Sequence, residues 1–109
     1  MYKGVIISES LEKPDLINDL EVLSSEISGN SNWHLYTVIV SRSDIKRISS
    51  VLKPEKYYAH FWNGDNVLVV FRNKQFEIKY SDKVTWRDAI EYGKSIGIPD
   101  KQLDFPIEG

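Results

Sequence analysis

Two histidines, His34 and His60, are the residues in this sequence best suited to acid–base chemistry near neutral pH. His60 lies in the run Tyr57-Tyr58-Ala59-His60-Phe61-Trp62. An imidazole there could act as a general acid or base, or fix a ligand, at the floor of a pocket lined by Tyr58, Trp62 and Tyr80. The commoner fate of a histidine on an apolar face is a core position with its ring nitrogens hydrogen-bonded. The sequence leaves the structural and the functional roles of His60 both open. His34 follows Trp33 at a strand start, where it reads as a solvated end residue beside an aromatic sheet anchor. Neither histidine has H-x-H or H-x-x-x-H spacing, and there is no cysteine, so no metal and no cofactor are expected.

Other motifs exclude chemistries. Asn63-Gly64-Asp65-Asn66 lacks the acidic ladder and distal glutamate of a calcium loop and reads as a hairpin turn. The glycines are scattered, so there is no phosphate-binding loop or dinucleotide fingerprint. No serine sits in a G-x-S-x-G elbow. Asp82, Asp88 and Glu91 fall near the start of the last helix, where carboxylates complement the helix dipole. Arg42, Lys46 and Arg47 form a small basic spot. With 14 basic against 16 acidic side chains and a net charge of -2, that spot reads as a solvated face, and no nucleic-acid partner is expected.

The elements that must position these residues form a single domain over residues 1–109. A hydrophobic fraction of 41% against 28% charged residues is a globular balance, not a disordered one. The longest unbroken apolar run, Val67 to Phe71, is far short of the roughly 20 residues a membrane span needs. Val5-Ile6-Ile7 is too short for a signal-peptide core of roughly 7–15 residues. A soluble, cytoplasmic chain without a membrane partner is the expectation.

Tyr2 to Ser8 reads as a strand. Pro14 at a first helical position predicts a short helix to about Leu20. Glu21 to Ser28 fits either a continued helix or a strand. The strand is favoured, paired through the loop Gly29-Asn30-Ser31-Asn32 with the strand-forming run Trp33 to Val40. Ser41 and Asp44 have capping-box spacing, with Ser43 as a rival cap, for a helix that buries Ile45, Ile48 and Leu52 and stops before Pro54. Tyr57 to Tyr80 reads as three strands with turns at Asn63–Asn66 and Asn73-Lys74. Thr85 and Asp88 repeat the capping-box spacing before a helix with Trp86, Ala89, Ile90, Gly93 and Ile96 as its buried stripe. Gly93 suggests a close approach to the sheet, and Gly97 a C-terminal cap. Pro99 to Leu103 adds a helical turn, and Leu103 and Phe105 fold back. The order predicts an α+β two-layer sandwich, mainly antiparallel, with helices on one face, ferredoxin-like or related.

The turns fix the faces of the meander. The first pairs Trp62 with Val67 and His60 with Val69. The second pairs Phe71 with Phe76 and Val69 with Ile78. One face then carries Tyr58, His60, Trp62, Val67, Val69, Phe71, Phe76, Ile78 and Tyr80, with the Ile45–Leu52 helix as its natural cover. The other carries Tyr57, Ala59, Phe61, Leu68 and Val70 as an apolar patch away from the helices. A monomer rarely leaves such a patch open, so a homodimer packed through it is expected.

Tyr58-Ala59-His60-Phe61-Trp62-Asn63-Gly64-Asp65, then Thr85-Trp86, Ala89-Ile90-Glu91-Tyr92-Gly93, Gly97-Ile98-Pro99 and Gln102-Leu103-Asp104-Phe105, resembles a family of small uncharacterised prokaryotic proteins, over about Trp33 to Phe105. The resemblance implies a self-standing domain of unknown function and transfers no catalytic residue. The sequence thus points to a small binding or protein-interaction module that self-associates. The alternative is a small enzyme or ligand-binding protein with a small molecule at His60.

Overall fold

Runs of β-branched and aromatic residues build the strands, because such side chains pack well on a pleated surface. Residues 1–29, 32–105 and 107 are described by the computed structural model. Among them are six strands: β1 (Tyr2–Ile7), β2 (Glu21–Ile27), β3 (His34–Val40), β4 (Ala59–Asn63), β5 (Asn66–Phe71) and β6 (Lys74–Lys79). They form one sheet in the order β2-β3-β1-β4-β5-β6, and every neighbouring pair is antiparallel. Helix α1 (Arg42–Val51) follows β3, and α2 (Arg87–Ser95) follows β6. No helix among the described residues is long and apolar enough to cross a membrane.

The strand alternative for Glu21–Ser28 holds, with β2 pairing β3 and a bulge between Val22 and Ser24. Of the connecting loop, Asn30 and Ser31 lie outside the described residues. The short helix before β2 is a 3-10 helix at Pro14–Asp19. Ser41 caps α1 in a full capping box: its Oγ accepts from the Asp44 N–H at 3.1 Å, and Asp44 accepts from the Ser41 N–H at 3.0 Å. The second expected capping box is absent. Thr85 Oγ1 instead accepts from the Lys79 N–H at 2.9 Å, and α2 continues from a 3-10 turn at Lys83–Trp86. Gly97, at φ +93°, ends α2 with the Ile98 N–H bonded to the Gly93 carbonyl. Gly93 admits the Leu103 side chain, not the sheet.

The first hairpin keeps its expected register, with Trp62 opposite Val67 and His60 opposite Val69. The second is shifted by two residues: its loop is Arg72-Asn73, and Phe76 faces Val69 while Ile78 faces Val67. A shift of two preserves which side chains share a face, so the face assignment survives the error in the turn.

The layering is not the expected one, because helices cover both faces. Strands β3 and β4 both run antiparallel to β1 between them, so they are parallel to each other. The link β3-α1-β4 is therefore a crossover over β1, the split β-α-β unit also found in ferredoxin-like folds. The full order β-β-β-α-β-β-β-α differs from theirs. Ile45, Ile48 and Leu52 of this crossover pack on Ala59, Phe61, Leu68 and Val70, joined by Leu11, Leu16 and Ile17 from the β1–β2 link. The patch offered for a dimer interface is thereby closed inside the chain: Phe61 and Val70 are 0% exposed, and Ala59 and Leu68 are 3%. Helix α2 and the segment Ile98–Phe105 cover the opposite face, on Trp62, Val67, Val69, Phe71 and Ile78. Each fully buried Phe or Ile contributes about 1.5–3 kcal/mol relative to exposure, which drives both layers into place.

Candidate functional site

The two covers do not extend equally across the sheet. On the α2 side, among the described residues, the buried strand positions under the helix and C-terminal segment belong to β4, β5 and β6, and none belongs to β1 or β3. Pairing sets the open side chains in rows. Ile39, Lys3 and Trp62 form one; Thr37, Val5 and His60 form the next; Leu35 and Ile7 form the third. Lys3, Val5, Ile7, Leu35, Thr37, Ile39 and His60 are all half-buried.

A hollow of about 340 Å³ lies at one end of this face. Val5, Ile7 and Leu35 form an apolar floor, His60 and Ala59 come from β4, and Trp33, Lys56, Tyr57, Tyr58 and Gln102 form the walls. The Trp33 and Tyr57 rings stand 6.1 Å apart at 53°. The His60 ring is 6.4 Å from Tyr58, 5.4 Å from Trp62 and 6.0 Å from Phe105. A second hollow, of about 310 Å³, lies at the other end and takes in Lys3, Ile39, Trp62 and Ile107.

Two of the expected pocket residues meet at the first hollow. Tyr58 and His60 line it together. Trp62 is buried beside His60 and opens to the second hollow. Tyr80 belongs to neither: it ends β6 against Trp86, with ring centroids 6.0 Å apart. Tyr58 also makes a structural tie. Its hydroxyl donates to the Gln102 carbonyl at 2.5 Å and the Asp104 carbonyl at 3.2 Å. Burial, helped by the Asp104 charge, pushes its pKa up to about 12. Its phenol therefore stays protonated at neutral pH and ties the C-terminal segment to the sheet.

Sequence reasoning placed Tyr57 at an interface and Trp33 at a sheet edge. Both are pocket walls. Strict alternation would send Tyr57 and Tyr58 to opposite faces, but β4 begins only at Ala59, and the rule does not bind residues before the strand. The local signal was the loop before the aromatic pair. Lys56 has φ +67°, a left-handed conformation that costs a side-chain-bearing residue roughly 1–2 kcal/mol. It is held by its N–H donating to the Ile96 carbonyl at 3.1 Å, while its stem lies beside Gly97.

His34 is a strand-end residue as expected, but it has a partner 25 positions upstream. Glu9 accepts from the His34 N–H at 2.8 Å and meets its Nδ1 at 2.7 Å. These bonds, the backbone one first, hold the Glu9 carboxyl below its ordinary value. Among the described residues no group of three or more metal-ligating side chains converges.

Comparison with family models, with characterised proteins and with solved structures finds no match to this chain.

Proposed function

We propose that the chain is a binding module that takes a small molecule into the hollow walled by Trp33, Tyr57, Tyr58 and His60. The observation that carries this reading is the incomplete cover on the α2 side among the described residues. It leaves a concave, mostly apolar surface with aromatic walls and a few polar groups, the usual make-up of a ligand site. His60 supplies a polar ring beside an apolar floor of Val5, Ile7 and Leu35. The test is a thermal-shift screen of small aromatic compounds against the intact chain, His60→Ala and Trp33→Ala. A compound that stabilises the parent chain and loses that effect in both variants supports the reading. Stabilisation unchanged in both variants sinks it.

Self-association is a second reading, now favoured by a different surface. All seven residues of the edge strand β2 are exposed, and Val22, Leu23 and Ile27 are 40%, 50% and 63% exposed. The opposite edge, β6, is blunted by Lys74, Glu77 and Lys79, which discourage strand pairing. A dimeric mass by light scattering that falls to the monomer in Ile27→Lys supports pairing through β2. A monomeric mass at micromolar concentration excludes it.

A further inference from the structure

The hollow at Trp33 and His60 has a charge asymmetry that names its ligand. Lys56 is the only Lys, Arg, Asp or Glu among its described lining residues. Lys53 stands just outside, with Nζ 5.7 Å from the Tyr57 ring centroid. Neither lysine forms an ion pair with a carboxylate among the described residues, although five other Lys and Arg side chains do. Asp104 lies behind the Tyr58 hydroxyl and does not line the hollow. Among the described residues the charge at the hollow is thus cationic, and the rest of the lining is mostly apolar and aromatic.

We infer that the ligand is a planar aromatic carboxylate. This rests on the binding-module reading above and adds the ligand's chemical class. The ring lies on Val5, Ile7 and Leu35 and stacks against Trp33 and Tyr57, as aromatic pairs prefer. The carboxylate faces outward to Lys56, where the ammonium keeps its water and the ion pair needs no full desolvation. The left-handed backbone at Lys56, bonded to the Ile96 carbonyl, anchors this cation at the rim from the end of α2.

The experiment is an amide chemical-shift titration by NMR with benzoate, benzamide and benzylamine, which share a ring and differ in charge. Benzoate is expected to shift the amides around Trp33, Lys56 and Tyr57, and to bind about fivefold more tightly than benzamide, the weight of one partly exposed ion pair. Benzylamine is expected to bind most weakly. Added salt narrows the gap between benzoate and benzamide, because it screens the lysines. Lys56→Gln removes the gap and leaves benzamide binding intact, whereas Lys56→Arg keeps it. Benzamide binding as tightly as benzoate would overturn the carboxylate assignment and leave the binding module standing. No shift at these amides with any of the three would overturn both.

Discussion

Gly4 of β1 sits opposite Phe61 of β4 with no room for a side chain between them. A Cβ at Gly4 would run into the Phe61 ring at Cδ1 and lie 2.6 Å from the His60 carbonyl oxygen. The glycine thus sets how closely the central strand approaches the strand that carries His60. Phe61 is fully buried under α1 and cannot swing away. Gly4→Ala is expected to destabilise the fold by about 1–3 kcal/mol, the usual cost of overpacking a core. Urea unfolding measures it, and an unchanged midpoint would show that β1 and β4 can part without cost.

Tyr58 gives a pH signature at the alkaline end. Its folded pKa, about 12, is raised above the unfolded tyrosine value of about 10. Its contribution is fully present below the unfolded pKa. It is lost as pH rises from there through the folded pKa, because the unfolded chain releases the proton first. Ultraviolet titration should show one tyrosine ionising near pH 12. That component should vanish in Tyr58→Phe, which also loses the bonds to the Gln102 and Asp104 carbonyls and about 1 kcal/mol of stability. A late component that survives in the variant belongs to another tyrosine.

Glu9 gives a signature at the acid end with the opposite sign. Its folded pKa is lowered, so its contribution is present above the ordinary glutamate pKa and is lost as pH falls through the folded value. Both side chains are well exposed, which keeps the effect small. Glu9→Gln is expected to flatten the acid limb of a melting-temperature profile. Parallel acid limbs in the parent chain and the variant would rule this out.

Ser49 joins α1 to the second hairpin. Its buried Oγ donates to the Phe71 carbonyl at 2.7 Å, and its carbonyl accepts from the Asn73 N–H at 3.2 Å. Ser49→Ala keeps the backbone bond and removes the side-chain bond. The expected loss is about 1 kcal/mol, with faster hydrogen exchange at the amides of the Arg72-Asn73 turn. Unchanged stability and exchange would mean that water replaces the hydroxyl freely.

Most of the strands, both helices and the face-sharing sets were legible in the sequence, because they depend on local periodicity and turns. His60 and Tyr58 share a face since two-residue alternation survives even a wrong turn in the second hairpin. The Ser41–Asp44 cap and the Gly97 stop were equally local. Periodicity is silent about which layer covers which face. The crossover from β3 over β1 to β4 decided that, since crossovers of this kind have one dominant hand and α1 is thereby confined to one side. That single choice buried Ala59, Phe61, Leu68 and Val70, which sequence had left open for a second molecule. It left the His60 face to α2 and the C-terminal segment, whose described core contacts lie on β4, β5 and β6. The sequence by itself determined which residues could share a surface. Only the tertiary structure decided that Trp33, Lys56, Tyr57 and His60 surround one hollow, because they come from two separate segments whose meeting depends on strand order and the hand of one connection.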